Sequence, residues 1–136
     1  AGVRGARSER GAFVVWATAM NPAKWQQMLA DVTAVSGVRG AIVVSGDDGL
    51  VVHEAAVEGL DTADVAALAS AVVRRGEAIA AAMGESRVRL CTLAAERGAV
   101  LAAQGAMGLW LIAVTEPEAD LGRLRLLLGD FAPELA

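Results

Sequence analysis

The groups in this chain that could do chemistry are few and scattered. There is one histidine, His53, one cysteine, Cys91, and one lysine, Lys24. A structural or catalytic transition-metal site draws three or four ligands from His, Cys and carboxylates, so a histidine-rich site cannot be assembled here. A phosphate loop of the Walker type needs Lys followed by Ser or Thr behind a glycine-rich turn, and Lys24 stands instead between Ala23 and Trp25. Nucleophilic catalysis by Cys91 or a serine would have to recruit His53, and no glycine-flanked nucleophile elbow occurs. Asp47-Asp48 opens like a calcium loop, but the later ligands and the closing glutamate do not follow, so it reads as a turn. We therefore assign no catalytic, cofactor-binding or metal-ligating residue and expect a non-enzymatic protein.

Arginine is the remaining reactive side chain of interest. Arg74-Arg75 and the pair Arg87/Arg89 carry the charge needed to stabilise a transferring phosphoryl group in a partner's nucleotide site. The same residues equally suit a solvated or interfacial surface.

The 136 residues make one domain by size, with enough chain to bury a core unaided by disulfides or metals. Net charge is −4; the first ten residues contribute +2 through Arg4, Arg7, Arg10 and Glu9, so the remainder carries −6. An acidic body excludes electrostatic binding of nucleic acid. Cys91, alone in an apolar run, reads as a small buried hydrophobe in a reducing, cytoplasmic setting. The uncharged span 98–115 is long enough for a membrane helix, but Gly98, Gly105 and Gly108 break it into two strands, and no membrane span is expected. Residues 1–20 read as an N-terminal extension or tag, in which Phe13–Trp16 could add a strand or dock in a groove. The imitation of a cleavage site at Ala17-Thr18-Ala19 follows an apolar stretch too short for a secretory signal.

The elements that would position these groups follow from spacing. Asn21-Pro22 supplies an N-cap and a first-turn proline, with Met20 and Trp25 as a hydrophobic staple, for a helix whose buried stripe is Trp25, Met28, Leu29 and Val32. Val38–Ser45 and Leu50–Val57 flank a Gly-Asp-Asp-Gly turn as a hairpin. Arg87–Leu93, Ala99–Gln104 and Leu109–Thr115 are three further strands. Ala41–Val44 and Leu109–Val114, apolar on both faces, belong in the middle of a sheet, and Leu50–Val57 and Arg87–Leu93 toward its edges. Pro117 is placed to open a last helix, Glu118–Asp130, with Leu121, Leu124, Leu127, Leu128 and Phe131 facing the sheet. The order α-β-β-α-β-β-β-α implies an α+β fold: about five mostly antiparallel strands, a long central helix on one face and the terminal helices on the other, all within residues 21–136.

The long helix, Asp61–Gly84, is the unusual element. Asp61 is placed to cap it and Gly84 to end it. Val65, Leu68, Val72, Ile79 and Met83 form a stripe expected to face the sheet. The rest is smooth: Ala63, Ala66, Ala67, Ser70, Ala71, Ala78, Ala81 and Ala82, with charge only at Arg74, Arg75 and Glu77. Such a surface is either a helix-to-helix contact or simple helix propensity.

Several of these stretches resemble the Roadblock family, small domains related to dynein light chains and to bacterial regulators of Ras-like GTPases. They are Val35-Ser36-Gly37-Val38-Arg39-Gly40-Ala41-Ile42-Val43-Val44 with Asp48-Gly49-Leu50-Val51, the alanine-rich helix ending Met83-Gly84, and Glu118-Ala119-Asp120-Leu121-Gly122 with Arg125. The resemblance implies a homodimer paired through the long helices and the edge strand Arg87–Leu93. It also implies binding of a small Ras-like GTPase as scaffold or as modulator of its hydrolysis or localisation. Residues expected at the dimer or partner interface are then Ala67, Ala71, Arg74, Arg75, Ala78, Arg87 and Arg89. A rival expectation from the same element order is a profilin-like or PAS-like ligand-binding sensor, which needs a pocket with convergent polar groups.

Overall fold

The computed structural model describes residues 22–46, 48–56, 59–85 and 87–135. The expected extension at residues 1–20, the Asn21 cap and the Met20–Trp25 staple lie outside these residues. The described elements are α1 (Pro22–Thr33), β1 (Val38–Ser45), β2 (Leu50–Ala56), α2 (Thr62–Ala82), β3 (Leu90–Ala95), β4 (Gly98–Gln104), β5 (Leu109–Thr115), α3 (Leu121–Phe131) and a 3-10 turn (Ala132–Glu134).

The five strands form one sheet in the order β2-β1-β5-β4-β3, every pairing antiparallel. The two uniformly apolar runs, β1 and β5, are central because only a doubly covered strand can bury both of its faces. Alternation sorts their side chains. Ala41, Val43, Leu109, Leu111 and Ala113 pack with Trp25, Leu29, Val32, Leu124 and Leu128 under α1 and α3. Ile42, Val44, Trp110 and Ile112 pack with Ala66, Ala69 and Val73 under α2. The hairpin register slips between Val43 and Val44, and the turn is held by Leu50 N–H donating to Asp48 Oδ1 at 3.1 Å.

α2 leaves β2 at one edge of the sheet and delivers the chain to β3 at the other, so this helix crosses all five strands. Its ends are well determined. The Asp61 carboxylate accepts the Asp64 N–H at 3.1 Å, and Gly84, at φ +85°, closes a C-terminal motif in which Glu85 N–H donates to Ala80 O (2.9 Å) and Gly84 N–H to Ala81 O (3.1 Å). The Thr62 hydroxyl donates to the Glu54 carboxylate, tying the helix start to β2.

Three expectations are corrected. The third expected strand begins late: β3 starts at Leu90 rather than Arg87, the residues from Arg87 on making no ladder of their own beyond Gln104 N–H to Arg89 O at 3.0 Å. The last helix begins at Leu121 rather than Glu118, because Ala119 N–H bonds back to Glu116 O in a turn and the Asp120 side chain caps the helix through the Arg123 N–H at 3.0 Å. Pro117 thus sits in the turn before the helix. Third, α2 turns a side to the sheet other than its expected stripe.

Candidate functional site

The stripe expected to bury α2 does not bury it. The residues of α2 that are covered by the sheet are Ala66, Ala69, Ser70 and Val73, while Leu68 is 69 % exposed, Ile79 62 % and Met83 73 %. At roughly 100° per residue, Val65, Leu68, Val72, Ile79 and Met83 lie about a quarter to two fifths of a turn round from the buried line, Val65 still packing partly against the core. Small residues win the sheet-facing position because they allow close approach. A Cβ added at Gly49 would lie 3.3 Å from the Ala67 backbone and 3.2 Å from the Ser70 hydroxyl oxygen, and one at Gly76 would lie 3.0 Å from Cys91 Sγ. Bulky side chains would hold the helix off the sheet, so they are displaced to its flank.

That flank overhangs β3. A shallow apolar groove of about 180 Å³ runs between the helix and strands β3 and β4, lined by Val65, Leu68, Val72, Cys91, Leu93 and Val100 among others. Leu93 is itself 53 % exposed. Among the described residues β3 is an edge strand, paired with β4 alone, and no further strand lies on its outer side. Burial pushes the Cys91 thiol above the ordinary thiol range, with the Glu77 carboxylate adding to the effect, so the sulfur stays protonated and acts as part of the apolar lining. The convergent polar groups that a small-molecule sensor requires are missing from this groove. No helix among the described residues is long and apolar enough to cross a membrane.

The seven residues proposed from sequence fall in two places. Ala67, Arg74, Arg75 and Ala78 are exposed and Ala71 is half-buried, all on the outer side of α2, away from the sheet. Arg87 and Arg89 line a different cleft, with Leu90, Ala103, Arg125 and Ala132, on the opposite face of the sheet. Ala66 and Ser70, counted with the smooth outer surface, are instead buried against the sheet. Sequence reasoning missed Leu93 and Cys91 as members of the α2 flank. The signal was present in the late, apolar half of the β3 run, beside a helix with more large apolar residues than its packing could use. His53 lies half-buried on β2, the opposite edge, far along the sheet order from Cys91. Among the described residues no group of His, Cys, Asp and Glu could hold a metal ion.

Comparison with known families decides the relationship: the model of the Roadblock/LC7 domain matches residues 24–115. The chain belongs to the Roadblock/LC7 family. Solved structures carry the same fold. A Roadblock/LC7 domain from Streptomyces avermitilis is 22 % identical with a TM-score of 0.68, covering 80 % of this chain and 95 % of that one. MglB of Myxococcus xanthus is 17 % identical with a TM-score of 0.70, covering 83 % and 87 %. An uncharacterised protein of Methanocaldococcus jannaschii is 28 % identical over 80 % of this chain and 94 % of its own length. In this Roadblock/LC7 domain the match runs from α1 to the end of β5 and so contains α2, β3 and the groove between them.

Proposed function

We propose that this Roadblock/LC7 domain works as a homodimer formed through the apolar flank of α2 and the edge strand β3. The dimer is a non-enzymatic scaffold that binds a small Ras-like GTPase and modulates its GTP hydrolysis or its localisation in the cytoplasm. The observation that carries the reading is the exposed row Leu68, Val72, Ile79, Met83 and Leu93. A contiguous apolar strip of this kind is uncommon on a monomer, and covering it with its own copy buries it with complementary chemistry. Pairing of β3 with a second β3 would satisfy the open edge and join two sheets. A solved relative of the same fold is described as an MglB in a tetrameric arrangement, which supports association as something this architecture carries.

With its apolar flank occupied by the second copy, α2 keeps its outer face, Ala67, Ala71, Arg74, Arg75 and Ala78, for the GTPase. On this reading the domain acts by positioning the partner's own residues. The test is direct: a Ras-like GTPase encoded beside this gene, loaded with a fluorescent GTP analogue, is titrated with the domain and with an Arg74→Glu/Arg75→Glu variant. Binding that weakens in the variant while the dimer mass is unchanged supports the reading. Absence of binding to every such GTPase in either nucleotide state removes it.

A further inference from the structure

On the face of the sheet opposite α2, the segment leading into β3, the end of β4 and the end of α3 enclose a cleft of about 780 Å³ whose lining includes Arg87, Arg89 and Arg125. Val88, between the first two arginines, turns the other way and packs in the core beneath α2. In extended backbone successive side chains point to opposite sides, so Arg87 and Arg89 both project into this cleft. Their segment is anchored by the Arg89 carbonyl, which accepts the Gln104 N–H at 3.0 Å. Arg125 approaches from α3, one helical turn before Gly129, which leaves that stretch of the wall without a side chain. Leu90, Ala103 and Ala132 give the cleft an apolar floor, and among the described residues Glu85 is the one carboxylate in its lining. Among the described residues none of the three arginines is held in an ion pair.

Three guanidinium groups in one concavity of a chain whose net charge is −4 form a local exception to its overall sign. A cleft focuses such a field, and the planar guanidinium fork is shaped for two-oxygen anions. The space is far larger than one phosphate or carboxylate needs, and an apolar floor offers nothing to a polyphosphate chain. We infer that this cleft receives an acidic, partly apolar peptide segment of a partner protein, its carboxylates on Arg87, Arg89 and Arg125 and its apolar side chains on Leu90, Ala103 and Ala132. The site lies across the sheet from the α2 flank and does not depend on the GTPase reading.

The experiment is fluorescence anisotropy on the full chain with a labelled peptide alternating glutamate and leucine, and with a control peptide carrying lysine for each glutamate. The acidic peptide is expected to bind, with affinity falling as salt rises, and Arg87→Ala/Arg89→Ala and, separately, Arg125→Ala should each weaken it by about tenfold or more while circular dichroism stays unchanged. The lysine peptide should not bind. No binding of the acidic peptide at about 1 mM, or binding that survives both substitutions, overturns the proposal. Equal, arginine-dependent binding of inorganic pyrophosphate in place of the peptide also overturns it, by making the cleft a small-anion site.

Discussion

Gly76 of α2 lies directly over the thiol of Cys91 in β3, close enough that a Cβ at residue 76 would stand 3.0 Å from the sulfur. The contact sets how near the helix sits to the edge of the sheet. Gly76→Ala should gain helix propensity worth about 1 kcal/mol but spend it on this clash, leaving stability unchanged or lower. In a Cys91→Ala background the clash is relieved and the same substitution should stabilise by about 1 kcal/mol. Urea unfolding of the four proteins in the cycle, at one fixed protein concentration, measures the coupling.

The Cys91 thiol should be slow to react at neutral pH. Burial first and Glu77 second raise its pKa above the ordinary thiol value. A group whose folded pKa is raised contributes stability that is complete below its unfolded pKa and is lost as pH climbs through the folded one. The prediction is a maleimide or disulfide-reagent reaction that accelerates only in alkaline solution, beyond the range where a free cysteine already reacts, with Glu77→Gln shifting the profile toward lower pH.

The two aspartate caps should matter by similar amounts. Asp61 accepts the Asp64 N–H at 3.1 Å and Asp120 the Arg123 N–H at 3.0 Å, so Asp61→Ala and Asp120→Ala should each cost about 1 kcal/mol in chemical denaturation. Substitution by Asn should retain most of the stability, since an amide oxygen accepts the same bond.

Gly98 has no room for a side chain. Its φ of +151° lies outside the range of ordinary residues, and an added Cβ would collide with the Thr115 carbonyl oxygen across the β4–β5 pairing. Because that neighbour is backbone and cannot swing aside, Gly98→Ala should destabilise by about 3 kcal/mol or more, read as a lowered melting temperature.

The strands were legible in proportion to how completely they are covered. β1 and β5 occupy the expected residues because an unbroken apolar run admits one place in a sheet, its middle. Arg87–Arg89 alternates as a strand does, yet its two arginines are drawn to a cleft and the ladder begins only at Leu90. Pro117 carries the signature of a helix start, but a capping side chain three residues further on outranks it. The Roadblock resemblance read from the hairpin and the helix ends agrees with the family match. The orientation of α2 was not legible: a 3.6-residue period says that one flank is apolar, and it is silent on whether that flank meets its own sheet or another molecule. Here Ala66 and Ala69 are buried in one cluster with Ile42 and Ile112, and the larger Leu68, Ile79 and Met83 are left outside. Arg87 and Arg89, expected at the interface through the edge strand, lie across the sheet from the α2 surface.

Static light scattering on the purified chain at micromolar concentration, beside an Ile79→Glu variant, reads the α2–β3 dimer directly. Ile79 is 62 % exposed in the single chain, so a glutamate there is harmless to a monomer but would place an unpaired charge in a dimer seam at a cost of about 3–5 kcal/mol. A dimer through this flank gives twice the chain mass for the unaltered protein and the single-chain mass for the variant, with unchanged helix content in both. A single-chain mass for the unaltered protein, or an undiminished dimer in the variant, would contradict it.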